Sequence, residues 1–104
     1  MIYALAQGTL FRSPEQRTSK TGKPFVTATI RSKDGDASQF IRIVSFSESG
    51  QGELLLLDDG DALSVQGPLK VETYVASNGE TRISLSLVAD KILPLKAPSK
   101  QRKE

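Results

Sequence analysis

The 104-residue chain predicts an all-β fold, and three observations carry that expectation. Apolar and polar residues alternate with period two over most of the length, as in half-buried strands. Turn-forming clusters recur at short intervals, as in small barrels and sandwiches. One segment, Glu53 to Gly60, breaks the alternation with four consecutive leucines.

The first strand is expected from Ile2 to Arg12, with Gly8 marking a bulge or a sharp bend. Ser19-Lys20-Thr21-Gly22-Lys23-Pro24 then forms a polar, cationic turn. In the second strand, Phe25 to Arg31, Val26, Ala28 and Ile30 point inward, and Phe25, Thr27, Thr29 and Arg31 outward. Lys33 to Ser38 is a turn centred on Asp-Gly. The third strand, Gln39 to Phe46, assigns Ile41 and Ile43 to the core and Phe40, Arg42, Val44 and Phe46 to the other face.

Glu53-Leu54-Leu55-Leu56-Leu57-Asp58-Asp59-Gly60 reads as a short helix, with leucines that favour it and a glycine that stops it. The fourth strand starts at Ala62, kinks at Gly67-Pro68 and continues to Val75. Asn78-Gly79 turns it into the fifth, Thr81 to Val88, in which Ile83, Leu85 and Leu87 are expected inside. Lys91 to Leu95 closes the domain. Five strands with a short helix between strands 3 and 4 give a five-stranded Greek-key OB-fold barrel. The domain is expected over 1–95, followed by a basic, disordered tail over 96–104.

Composition narrows the chemistry. With no Cys and no His, structural zinc, thiol catalysis and His-based triads are excluded. No cofactor is implied, and Asp58-Asp59-Gly60-Asp61 reads as a helix end and turn, not a metal site. No nucleophile–base pair or phosphate-cradling loop points to an enzyme. No apolar run approaches the roughly 20 residues of a spanning helix, and the N-terminus lacks a basic leader, so a cytoplasmic protein is expected. The net charge of +2 is unevenly spread: +3 over 1–52, −5 over 53–90 and +4 over 91–104.

The outer face should be polar unless it binds something. Instead it offers Phe40, Arg42, Phe46 and Tyr74 as candidate contacts, with Arg12, Arg31 and Lys70 beside them. Lys23 and Lys33 add charge from the turns. Phe46 fits barrel-rim packing as well, Phe40 a subunit interface, and Phe25 either the binding face or the core. Aromatic rings among basic residues suit single-stranded nucleic acid, because every base has a π-face to stack and phosphates attract Lys and Arg.

Several segments carry a family resemblance: Gly8-Thr9-Leu10 with Pro14-Glu15 and Arg17, Gly22-Lys23-Pro24 before Phe25 to Ile30, and Phe40 to Phe46. Gly60 to Leu69, Tyr74 and Asn78-Gly79 continue it. Together they resemble the bacterial single-stranded DNA-binding proteins (SSB) from about Ile2 to Leu95. The resemblance implies an OB-fold that binds single-stranded DNA without sequence preference in replication, recombination or repair, near the nucleoid. It implies Phe40, Phe46 and Tyr74 as stacking rings, Arg42 as a basic contact, and a homodimer or homotetramer. An edge strand with unpaired backbone independently favours pairing with a second copy. The chain departs from the family in its short 32–38 hairpin, its lack of Trp, and a C-terminal segment that is basic instead of acidic. The alternative is a primosomal replication-accessory protein that bridges a helicase or another replication protein.

Overall fold

The computed structural model describes residues 1–95, apart from the side chain of Asp34. The expected tail over 96–104 lies outside the described residues. The strands are β1 (Ile2–Leu10), β2 (Glu15–Thr18), β3 (Pro24–Asp34), β4 (Ala37–Ser45), β5 (Ala62–Val75), β6 (Thr81–Val88) and β7 (Lys91–Pro94), with helix α1 (Glu48–Leu55) between β4 and β5.

Five strands close a ring in the order β1-β3-β4-β6-β5, and β1 returns to β5. All ring pairings are antiparallel except β4–β6, which sets Ile41 beside Leu85 and Ile43 beside Leu87. This is the OB-fold expected from the sequence. The two extra strands are short: β2 lies along β3, and β7 along β5.

Period-two alternation explains the interior. Val26, Ala28 and Ile30 of β3, Ile41 and Ile43 of β4, and Leu63 and Val65 of β5 are buried, with Leu10, Leu54, Leu57, Leu87, Ala89 and Ile92 completing the cluster. Two glycines are dictated by close crossings. A Cβ on Gly8 would stand 2.4 Å from the Arg31 carbonyl oxygen, at the corner where β1 passes from β5 to β3. A Cβ on Gly67 would lie 1.9 Å from the Val88 carbonyl oxygen.

Four expectations are corrected. β1 ends at Leu10, because Arg12 takes a φ of 74° that no strand accommodates. Strand β2 was not expected, since its four residues are all exposed and show no alternation. The helix spans Glu48–Leu55, five residues earlier than Glu53 to Gly60. Its N-cap is Ser47, whose side chain accepts the Gly50 N–H, and only Leu54 and Leu57 of the four leucines are fully buried. Finally, Ile83 is 66% exposed. β6 pairs with β4 only from Leu85 onward, and β5 pairs with β1 only up to Leu69, so the hairpin beyond them is a two-stranded arm with no core behind it.

Candidate nucleic-acid interface

The face of β3 and β4 turned away from the core forms a ladder. Register pairs Arg31 with Phe40, Thr29 with Arg42 and Thr27 with Val44. Past the end of the pairing, Phe25 and Phe46 meet with ring centroids 5.9 Å apart. An aromatic group therefore stands at each end, with Arg42 between them and Arg31 opposite Phe40. Phe40 is 50% exposed and Phe46 60%, although full burial of such rings is strongly favoured by the hydrophobic effect.

A groove of about 690 Å³ runs over this face. Phe11, Arg12 and Arg17 line one wall, Phe40 and Arg42 the floor, and Tyr74 on the arm the other wall. Of the nine candidate contacts, Arg12, Phe40, Arg42 and Tyr74 thus come together here. Arg31 is exposed opposite Phe40 but does not line the groove. Phe46 lies at the far end of the ladder. Lys70 lies on the arm, 3.4 Å from the Glu72 carboxylate. Lys23 closes the β2–β3 turn, where its N–H donates to Ser19 Oγ, and Lys33 is exposed in the β3–β4 hairpin; neither lines the groove.

Sequence reasoning missed Phe11 and Arg17. Phe11 packs edge-to-face on Phe40 with centroids 5.3 Å apart, and its N–H donates to the Thr29 carbonyl. The signal was present: with Leu10 buried, alternation turns the next residue outward. Arg17 is brought to the groove by β2 and pairs with Glu15 at 2.8 Å.

Arg12 lies over the Phe11 ring, its guanidinium carbon 5.1 Å from the centroid. Such a contact is worth about 0.5–1 kcal/mol where solvent reaches it. Its left-handed backbone costs about 1–3 kcal/mol in a non-glycine residue. The Arg12 N–H donates to Asp59 Oδ1 at 3.0 Å.

The opposite end of the ladder is held by α1. Gln51 is buried, and its amide donates to the carbonyls of Pro24 and Phe46, both 3.1 Å away. Those carbonyls flank the Phe25–Phe46 pair. Chemically, the face offers rings to stack planar groups and arginines to meet anions. Among the described residues, no cluster of metal-ligating side chains is present, and no helix is long and apolar enough to cross a membrane.

Comparison with known proteins agrees with the fold. The model of the Single-strand binding protein family matches residues 4–95. The Single-stranded DNA-binding protein of Thermotoga maritima is 29% identical over 92 residues. That match covers 80% of this chain and 65% of the relative, so the chain spans just under two-thirds of the relative's length. A small single-stranded DNA-binding protein from Streptomyces coelicolor is similar in structure, with a TM-score of 0.73 at 26% identity, covering 89% of this chain and 93% of that one. The fold is also shared with a Plasmodium falciparum SSB solved in complex with ssDNA, with a TM-score of 0.69 at 14% identity and coverage of 92% and 96%.

Proposed function

Because the chain belongs to the single-strand binding protein family, we propose that it binds single-stranded DNA without sequence preference, as a binding protein and not an enzyme. The observation that carries this reading is the groove lined by the exposed rings of Phe11, Phe40 and Tyr74 together with Arg12, Arg17 and Arg42. Bases stack on the rings, and each stack contributes roughly 1–3 kcal/mol whatever the base. Phosphates meet the arginines and release counterions. Stacking requires bases turned out of a helix, so duplex DNA is a poor ligand. The one helix among the described residues, Glu48–Leu55, carries no basic side chain and exposes Glu48 and Glu53, which a duplex backbone repels.

Phe46, Arg31 and Lys70 extend the binding face beyond the groove, and Lys23 before β3 and Lys33 near the tip of the β3–β4 hairpin contribute long-range attraction. The reading includes self-association. From Ile2 to Ala6, β1 pairs with β5 but not with β3, and the Gln7 carbonyl beyond them already accepts from Ser32 Oγ, so the first half of this edge is available to a second copy. It also implies a cytoplasmic protein working on nucleoid DNA, in contact with replication proteins.

Fluorescence anisotropy of a labelled dT oligomer, with duplex of equal length as control, tests the reading. Single-strand binding should weaken with salt, log K falling by about 0.7 per contacted phosphate for each decade. Absence of binding at low salt, or equal affinity for duplex, would overturn it.

A further inference from the structure

The loop from Asp58 to Asp61 carries three carboxylates within four residues, yet it is laced to the end of β1 beside the arginine-rich groove. Gly60 N–H donates to the Leu10 carbonyl, and Leu10 N–H to the Asp61 carbonyl, both at 2.9 Å. Ser13 Oγ donates to Asp58, and Arg12 N–H to Asp59 Oδ1. The loop contributes no lining residue to the groove. Its charge, taken alone, repels a polyanion.

Arg12 supplies the reason for the arrangement. Among the described residues it is the one non-glycine with a positive φ, at 74°. Such a conformation persists only where its surroundings enforce it, and it points from an observed outlier to a role. The neighbours of Arg12 are tied down on both sides, Phe11 N–H to the Thr29 carbonyl and Ser13 Oγ to Asp58, and the Arg12 N–H itself is held by the Asp59 carboxylate. The outcome is a three-part stack: the Arg12 guanidinium over Phe11, and Phe11 edge-on to Phe40.

We propose that Asp59 is a positioning residue for the DNA groove: by accepting the Arg12 N–H it fixes the left-handed backbone that assembles the Arg12–Phe11–Phe40 platform. This inference rests on the single-strand reading above. It makes a prediction opposite in sign to simple electrostatics. Removing a negative charge beside the groove should tighten binding to an anion. Removing the acceptor should weaken it, because the platform is no longer preorganised.

Two substitutions separate the effects. Asp59→Asn removes the charge but keeps an acceptor oxygen, whereas Asp59→Ala removes both. Titrated with labelled oligo-dT, Asp59→Ala should bind roughly three- to tenfold more weakly than the unsubstituted chain, a fraction of the loss of a whole stacking ring. Asp59→Asn should bind at least as tightly as the unsubstituted chain. In a Phe11→Ala background, Asp59→Ala should cost nothing further, since the platform is already gone. In the free protein, proton NMR should place the Arg12 side-chain methylenes upfield, under the Phe11 ring. That shift should survive in Asp59→Asn and collapse in Asp59→Ala. Binding by Asp59→Ala as tight as that of the unsubstituted chain, equal weakening by both variants, or an unchanged Arg12 shift would each overturn the inference. Failure of the unsubstituted chain to bind oligo-dT would instead overturn the single-strand reading beneath it, and the inference with it.

Discussion

Phe11 and Phe40 share one contact, so neither ring acts alone. Replacing Phe40 with Ala should cost about 1–3 kcal/mol of single-strand affinity. Phe11→Ala should cost a similar amount, and the double substitution less than the sum of the two, as expected for residues in contact; a double-mutant cycle in the oligo-dT titration measures this. Arg42→Ala should lower the salt slope by about 0.7, the share of one phosphate. Ser45 illustrates a different residue-scale effect. Its hydroxyl is fully buried and has no hydrogen-bond partner. An unsatisfied buried polar group costs about 1–3 kcal/mol. Ser45→Ala should therefore raise stability, by about 1 kcal/mol in urea unfolding.

At the scale of elements, α1 matters less for what it touches in solvent than for what it clamps. Its segment Glu48-Ser49-Gly50-Gln51-Gly52 has poor intrinsic helix propensity. A Cβ at Gly50 would stand 2.4 Å from Ser45 Oγ and 2.7 Å from Ser47 Oγ, so any larger residue there must displace both hydroxyls, the N-cap included. Ser47 caps the first turn, and Glu48 sits favourably at its positive end. Gln51→Ala should destabilise the protein by about 1–3 kcal/mol, since two carbonyls lose their donor. It should also broaden the NMR resonances of Phe25 and Phe46, whose backbone it anchors. The β5–β6 arm shows the complementary case. Val71, Val75 and Ile83 keep the alternation of a core face but stand 48%, 71% and 66% exposed, because no third strand backs them. The same overhang carries Tyr74 to the groove wall.

For the whole molecule, ring closure leaves β1 paired along one edge only over its first half. Tyr3 and Leu5 are both more than half exposed on that strand. Pairing with a second copy would satisfy the backbone and cover these side chains. Amides of Ile2 to Ala6 that point away from β5 should then exchange slowly at high protein concentration and rapidly on dilution. Exchange that is fast at every concentration would place the self-contact elsewhere. None of the residues lining the groove lies on β1.

Much of the fold and part of the site were legible from the chain alone, since alternation needs only neighbouring residues. Val26, Ala28, Ile30, Ile41 and Ile43 declared an interior, and Asn78-Gly79 closed a hairpin whose Gly79 has a φ of 86°. The outward positions of Phe40, Arg42 and Phe46 followed from the same two-residue period. Tertiary structure decided what locality cannot reach. The helix formed where Ser45, Pro24 and Phe46 gave it a seat, against the propensity of its own residues. Ile83 lost its core because strand lengths left it overhanging. Phe11 joined Phe40, and Asp59 reached Arg12 across 47 positions of sequence, because ring closure brought the α1–β5 loop to the end of β1. Burial is a property of pattern and can be read along the chain; a platform built from distant segments exists only once the sheet has closed.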